Sequence, residues 1–349
     1  MIKHVTFLLA FCLCLCQLLV KGQVVPRYGL YHIHGSLLNP AYTGYREYIY
    51  ANVFYHRQWL QQEGSPGFFA MAIDGSVSDA LNLGFHATSE YMGLASMVSV
   101  GVSYAYRIQL SQTSDLNFGL SLGATYGGIN QGAMHPVMPE DPTLLNLSGK
   151  AIPNMSTGVY YGSQLFYGGI ALRNLSGRSR SELEEAKDLL LAPPVPNVAA
   201  TLGTFIPINA RIFFRPSLMW IDDFETASHI DATLATIFLD KFWLGLSVRT
   251  TQPFGRTPMP SGAGEAYYSA AALGEVFVTD RLTISYAYDM GLTSFSNAYV
   301  GGHQISIGYY LTQHTNTPYR YKYRYKSHYK SDICPRCITY GRPERQRLH

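Results

Sequence analysis

The chain has 349 residues, 47% of them hydrophobic and only 14% charged, with a net charge of +3. Soluble domains carry about 25% charged residues, and so apolar a composition excludes disorder for the bulk of the chain. Tyrosine (27) and glycine (32) are abundant, tryptophan (3) is scarce and the mean hydropathy is −0.01, which suits a membrane protein.

At the N-terminus, residues 5–20 are the one run that approaches the ~20 apolar residues a spanning helix requires. The run follows Lys3 and leads into Val20-Lys21-Gly22, so residues 1–22 read as a secretory signal peptide cleaved near Gly22–Gln23. The rival reading is lipoprotein processing at Cys12, Cys14 or Cys16, but these follow the bulky Phe11, Leu13 and Leu15. An exported chain of membrane-like composition without further apolar helices points to a transmembrane β-barrel, in which strands satisfy the backbone. Cysteine usage agrees, because only Cys334 and Cys337 remain after cleavage and no disulfide framework can hold the fold.

Beyond residue 47 the chain alternates between apolar and small or polar residues, the period of a strand with two different faces. The clearest stretch sets Leu116, Phe118, Leu120, Leu122 and Tyr126 against Asn117, Gly119, Ser121, Gly123 and Thr125. Val98 to Tyr106, Phe242 to Val248 and Leu282 to Tyr288 repeat it, opposed by residues such as Gly101, Ser103, Arg107, Gly245, Ser247, Arg249 and Asp289. Strands are predicted at 48–59, 67–77, 81–90, 96–107, 115–127, 154–162, 164–174, 197–206, 210–220, 229–238, 241–250, 266–278, 281–289 and 303–311. These make an all-β, antiparallel up-and-down barrel of about fourteen strands.

The connections are brief after even-numbered strands and often long after odd-numbered ones, as at 128–153, 175–196, 251–265 and 290–302. Bacterial barrels have short periplasmic turns and longer external loops, so both termini are expected in the periplasm of an outer-membrane protein. Within one long loop, Ser181-Glu182-Leu183-Glu184 opens a short helix through a capping-box pattern. After Leu311 a tail of nine Lys/Arg and two acidic residues carries +7; with Lys3 and Lys21 in the leader, the remainder is −6. The expected organisation is therefore a signal peptide at 1–22, a periplasmic N-terminal segment at 23–47, a barrel at 48–311 and a basic periplasmic tail at 312–349.

No motif assembles catalytic chemistry. Gly119-Leu120-Ser121-Leu122-Gly123 matches G-x-S-x-G, but a nucleophile elbow needs a strand-to-helix turn and this match lies inside the most regular strand. Cys334-Pro335-Arg336-Cys337 lacks the four ligands of a zinc site and reads as a local disulfide or two thiols. His32-Ile33-His34 has no acidic or cysteine partner nearby. No enzyme, cofactor or metal site is expected. In the tail, Tyr319 to Lys326 alternate aromatic and basic residues. The pattern suits stacked bases, yet nucleic acid is not the expected periplasmic partner, and anionic headgroups or an acidic protein fit better. A merely solvated basic tail is the plain alternative. The small inward residues predict a lumen not packed like a core, one that could admit a polypeptide or hold residues 23–47 as a plug.

Asn39-Pro40-Ala41-Tyr42-Thr43-Gly44, then Arg57-Gln58-Trp59, resembles the opening of the PorP/SprF family of Bacteroidetes. The likeness continues through Tyr104-Ala105-Tyr106-Arg107-Ile108, Phe118-Gly119-Leu120 and Asp240-Lys241-Phe242-Trp243-Leu244-Gly245. It closes on Tyr286-Ala287-Tyr288-Asp289 and Gly301-Gly302-His303-Gln304-Ile305. Gln304 stands where the family is expected to carry an acid, and Thr43 where a small Ala is common. The resemblance implies a non-enzymatic outer-membrane barrel of the type IX secretion or gliding system. Its implied partners are the periplasmic ring with a peptidoglycan-linked lipoprotein, or secreted adhesins and effectors that it exports or anchors. Asn39, Pro40, Tyr42 and Gly44, with Arg320, Lys322, Arg324 and Lys326 of the tail, are the candidate partner-binding residues. The competing reading is a passive or ligand-specific outer-membrane transport channel, and a barrel lipase or protease is the third class considered.

Overall fold

In the computed structural model the described residues are 29–31, 33–46, 48–59, 64–93, 95–111, 113–129, 150–163, 165–177, 195–209, 212–224, 228–238, 241–252, 267–292 and 301–311. A four-residue helix, α1 (Gly35–Leu38), and a 3-10 turn (Pro40–Tyr42) precede the strands. The strands are β1 (Tyr50–Gln58), β2 (Gly67–Ser76), β3 (Leu81–Met92), β4 (Ala95–Ser111), β5 (Ser114–Ile129), β6 (Lys150–Ser163) and β7 (Phe166–Arg173). Then follow β8 (Asn197–Thr204), β9 (Ile206–Asn209), β10 (Ile212–Asp222), β11 (Ser228–Phe238), β12 (Phe242–Gln252), β13 (Tyr267–Phe277), β14 (Leu282–Gly291) and β15 (Gly302–Tyr310). Among the described residues no helix is long and apolar enough to cross a membrane.

With β8 and β9 counted as one, each strand pairs antiparallel with its chain neighbour, and β1 pairs with β15 from Tyr50↔Tyr310 to Gln58↔Gly302, which closes the sheet. Closure leaves no edge around the circumference, the condition for a sheet to survive in lipid. The segments β8 and β9 are one barrel strand interrupted at Phe205, since both pair with β10. The barrel therefore has fourteen strands, as the alternation predicts. The outward rows are apolar: Val98, Val100, Val102, Phe118, Leu120, Leu122, Leu244, Leu246 and Val248 are all exposed. Their neighbours Ser103, Arg107, Asn117, Ser247 and Arg249 are buried on the inner face.

Boundaries differ from the alternation pattern in instructive places. The β3–β4 hairpin extends to Met92 and Ala95, because Gly93 takes φ +59 and closes a tight turn that a run of ordinary residues resists. The strand β6 begins at Lys150, passing through Pro153. Its ladder with β7 reaches only Thr157↔Leu172, and beyond that the Met155 carbonyl accepts from Leu175 N. Two residues on, Pro153 turns its missing N–H to the same side, where no donor to a neighbouring strand is needed. The short connections 77–80, 112–113, 164–165, 210–211, 239–241 and 278–281 share the rim where β1 begins and β15 ends. The longer ones share the opposite rim, with 93–94 the exception.

Candidate functional site: an occupied lumen

Residues 29–31 and 33–46 lie inside the barrel and touch the inner wall on many sides. Tyr31 donates from its hydroxyl to Ser217 Oγ of β10 at 2.8 Å, and His34 Nδ1 sits 2.9 Å from Asn52 Oδ1 of β1. Leu30, Ile33, Leu38, Ala41, Tyr42 and Tyr45 are buried there. They form apolar clusters with wall residues that include Phe54, Phe68, Tyr160, Tyr167, Met219, Ile221 and Trp243. Burying one such aliphatic side chain is worth ~1.5–3 kcal/mol relative to water. Of the two readings of the lumen, a path for a polypeptide or a plug made of residues 23–47, the described part of that segment fits the plug: the small wall residues are spaces into which it packs.

The Asn39–Gly44 motif makes the closest of these contacts. Asn39 caps the 3-10 turn, accepting at Oδ1 from Ala41 N at 2.9 Å, and its Nδ2 donates to the Val159 carbonyl at 3.0 Å. Pro40 supplies the fixed φ that starts the turn. A Cβ on Gly119 would overlap the backbone of Pro40 and Ala41, so the first glycine of the G-x-S-x-G match makes room for this segment. Its central Ser121 donates to the Val102 carbonyl at 3.2 Å and stands in mid-strand, without the turn a nucleophile needs. Tyr42, Tyr45 and Tyr160 form a three-ring cluster with centroids 5.0 to 5.1 Å apart. Gly44 has φ +66 and its backbone is held on both sides: the N–H donates to Asp74 Oδ2 at 2.9 Å, and the carbonyl accepts from Arg107 Nη2 at 2.5 Å. A side chain there would be strained and would also strike Asn82.

Arg46 closes the segment. Its guanidinium donates to the Ile33 carbonyl and lies 4.0 Å from the Tyr50 ring centroid. Burial first, and then the positive charge of Arg46, holds the His34 imidazole down to about 3, so it is neutral. Burial likewise raises the Tyr42 phenol.

A second feature of the lumen lies toward the rim of long connections. Arg249 of β12 is buried between two carboxylates, at 2.5 Å from Asp231 Oδ2 on β11 and paired to Asp289 on β14. Asp289 also accepts from Gln304 Nε2 at 2.6 Å and faces His56 Nε2 at 3.2 Å, while Ser247 and Thr233 donate to Asp231. Arg249 Nη2 reaches the Gly29 carbonyl at 3.3 Å, so the network also holds the N-terminal segment. These charges were visible as the polar face of apolar strands. The missing signal was their mutual pairing, which sequence distance conceals and which burial makes obligatory.

Asn39, Pro40, Tyr42 and Gly44 come together in this plug and are buried in it. Arg320, Lys322, Arg324, Lys326, Cys334 and Cys337, the helix predicted from Ser181, and His32 lie outside the described residues. The segment expected at 23–47 in the periplasm is described at 29–31 and 33–46, where it occupies the lumen.

The family model for the type IX secretion system membrane protein PorP/SprF matches residues 20–309. No curated protein matches the chain. Among solved structures it is similar to the CymD monoaromatic hydrocarbon channel, at 10% identity and TM-score 0.51, over 80% of this chain and 93% of that one. It also matches a Pseudomonas aeruginosa FadL homologue, at 11% identity and TM-score 0.47, over 78% and 93% of the respective chains. At this identity the CymD likeness speaks for the barrel fold alone.

Proposed function

The chain belongs to the PorP/SprF family of type IX secretion system membrane proteins, and on that premise we propose a non-enzymatic outer-membrane component closed by its own N-terminal segment. In this reading the rim where β1 begins and β15 ends faces the periplasm, Gly29 lies up the lumen beside Arg249, and the basic tail (+7 over residues 312–349) docks an acidic surface of the periplasmic ring or its lipoprotein. The barrel assists export or surface anchoring of secreted proteins.

The observation that carries the reading is the packed plug. Tyr31, His34, Asn39, Gly44 and Arg46 each spend specific hydrogen bonds on holding residues 29–46 in place. A passive diffusion pore gains nothing from such a fit, whereas a gated or scaffold barrel does. The competing reading, a passive or ligand-specific transport channel, requires steady conductance of the purified barrel in planar bilayers.

Crosslinking pull-down from intact outer membranes tests the proposal, comparing the full chain with a deletion of 312–349. Recovery of secretion-system proteins with the full chain, and their loss with the deletion, is expected while the barrel keeps its heat-modifiable mobility. Unchanged recovery overturns the tail's docking role, and steady conductance without partners favours the channel.

A further inference from the structure

Strands whose inner faces line the lumen also build a polar patch on the outer face. Arg57 of β1 and His303 of β15 stand directly opposite each other in the closing ladder, with their side chains on the outer surface. The Tyr286 hydroxyl and His303 Nδ1 are 2.6 Å apart, and the Tyr288 ring packs edge-on to the imidazole at 5.1 Å. On the other flank, Tyr91 lies across Gly67, the ladder partner of Arg57, and its hydroxyl is 3.4 Å from that of Tyr55. Arg57 is exposed and donates through Nε to Ser65 Oγ at 3.3 Å, leaving its two terminal nitrogens without a protein partner among the described residues.

The position of this patch along the barrel limits what it can bind. Toward the rim of short connections the same outer face becomes apolar, with Val53, Met71, Ile73, Ile305 and Ile307 exposed to lipid. A cation on the lipid face costs ~2–4 kcal/mol at the membrane midplane and ~0–1 near the interface. Tyrosine hydroxyls also favour headgroup depth. The patch therefore lies at the interface on the side of the long connections. A planar guanidinium with free donors, an adjacent imidazole and several hydroxyls match the oxygens of a phosphate monoester.

We propose that Arg57, His303, Tyr286 and Tyr55 bind the phosphorylated headgroup of an outer-leaflet glycolipid. The choice of leaflet rests on the orientation proposed above, which protease accessibility of the long connections in whole cells tests separately.

The experiment reconstitutes the full chain in phosphatidylcholine nanodiscs containing lipid A, dephosphorylated lipid A or phosphatidylglycerol, and measures retained lipid by native mass spectrometry after detergent transfer. Wild type should retain lipid A about tenfold over the dephosphorylated form, the scale of a charge-assisted contact. Arg57→Gln should lose that preference and Arg57→Lys keep part of it, with heat-modifiable mobility verifying that both variants fold. Equal retention of the phosphorylated and dephosphorylated forms overturns the site, as does a preference for phosphatidylglycerol or undiminished binding by Arg57→Gln. Loss of a crosslinked protein from Arg57→Gln with lipid retention unchanged overturns it too, and reassigns the patch to a protein partner.

Discussion

Asn39 donates from Nδ2 to the carbonyl oxygen of Val159, 120 residues further along the chain, and so ties the N-terminal segment to the backbone of the barrel wall. The same side chain caps its own 3-10 turn through Oδ1, so one residue shapes the segment and fastens it. Removing both contacts at once should loosen the plug and leave the barrel intact. Asn39→Ala is expected to weaken docking by ~1–3 kcal/mol, the sum of a lost cap and a lost buried hydrogen bond. More frequent opening events in planar-bilayer recordings, at unchanged heat-modifiability, are the readout.

Gly119 and Ser121 separate packing from catalysis within one motif. A side chain on Gly119 meets main-chain atoms of Pro40 and Ala41, which cannot swing aside as a flexible side chain would. Gly119→Val should displace the segment and render residues near Asn39 sensitive to added protease. Ser121→Ala removes only the bond to the Val102 carbonyl and should behave as wild type within ~1 kcal/mol. Any hydrolytic activity that Ser121→Ala abolished would contradict this assignment.

Arg249 sits between Asp231 and Asp289 with all three side chains buried. Arg249→Met leaves two buried carboxylates without their cation, and breaking a buried pair in this way costs ~3–5 kcal/mol. Urea midpoints for unfolding in detergent should fall more for Arg249→Met than for Asp289→Asn, which leaves Arg249 paired with Asp231.

Acid should release the plug through His34. Its imidazole is held down to about 3 in the docked segment against 6.5 in the released one, so the released state binds the extra proton first. Docking is therefore fully stable above pH 6.5 and weakens as the pH falls toward 3, by on the order of 1 kcal/mol per pH unit. The charge would appear beside Arg46 and within reach of Asn52 and Phe54, none of which can neutralise it. Opening frequency measured from pH 7 to pH 5 should rise for wild type and stay flat for His34→Gln.

Much of this was legible one strand at a time. The rows Val98–Tyr106 and Leu116–Tyr126 declare a two-faced strand because side chains alternate across a sheet, and positions facing the middle of the membrane strongly favour apolar residues. Fourteen such rows, with connections alternating short and long, suffice for the barrel. Pro153 misled the boundary of β6, since a proline ends most strands and only the shortness of β7 leaves its position unpaired.

The sequence by itself determined an up-and-down barrel with apolar exterior rows, because those properties follow from local period, composition and loop length. Only the tertiary structure decided what fills it. Gly119, a small inward residue, reads equally as the lining of an open pore or as a socket. The difference depends on whether Pro40 and Ala41 reach it, which closure of β1 against β15 settles by folding residues 29–46 into the lumen. Closure also sets Arg249 beside Asp289 inside and Arg57 beside His303 outside, pairs remote in sequence that burial and the lipid interface give meaning. The low charge of the chain is accordingly a property of its lipid face, while Arg249, Asp231 and Asp289 within the barrel are paired beside the plug.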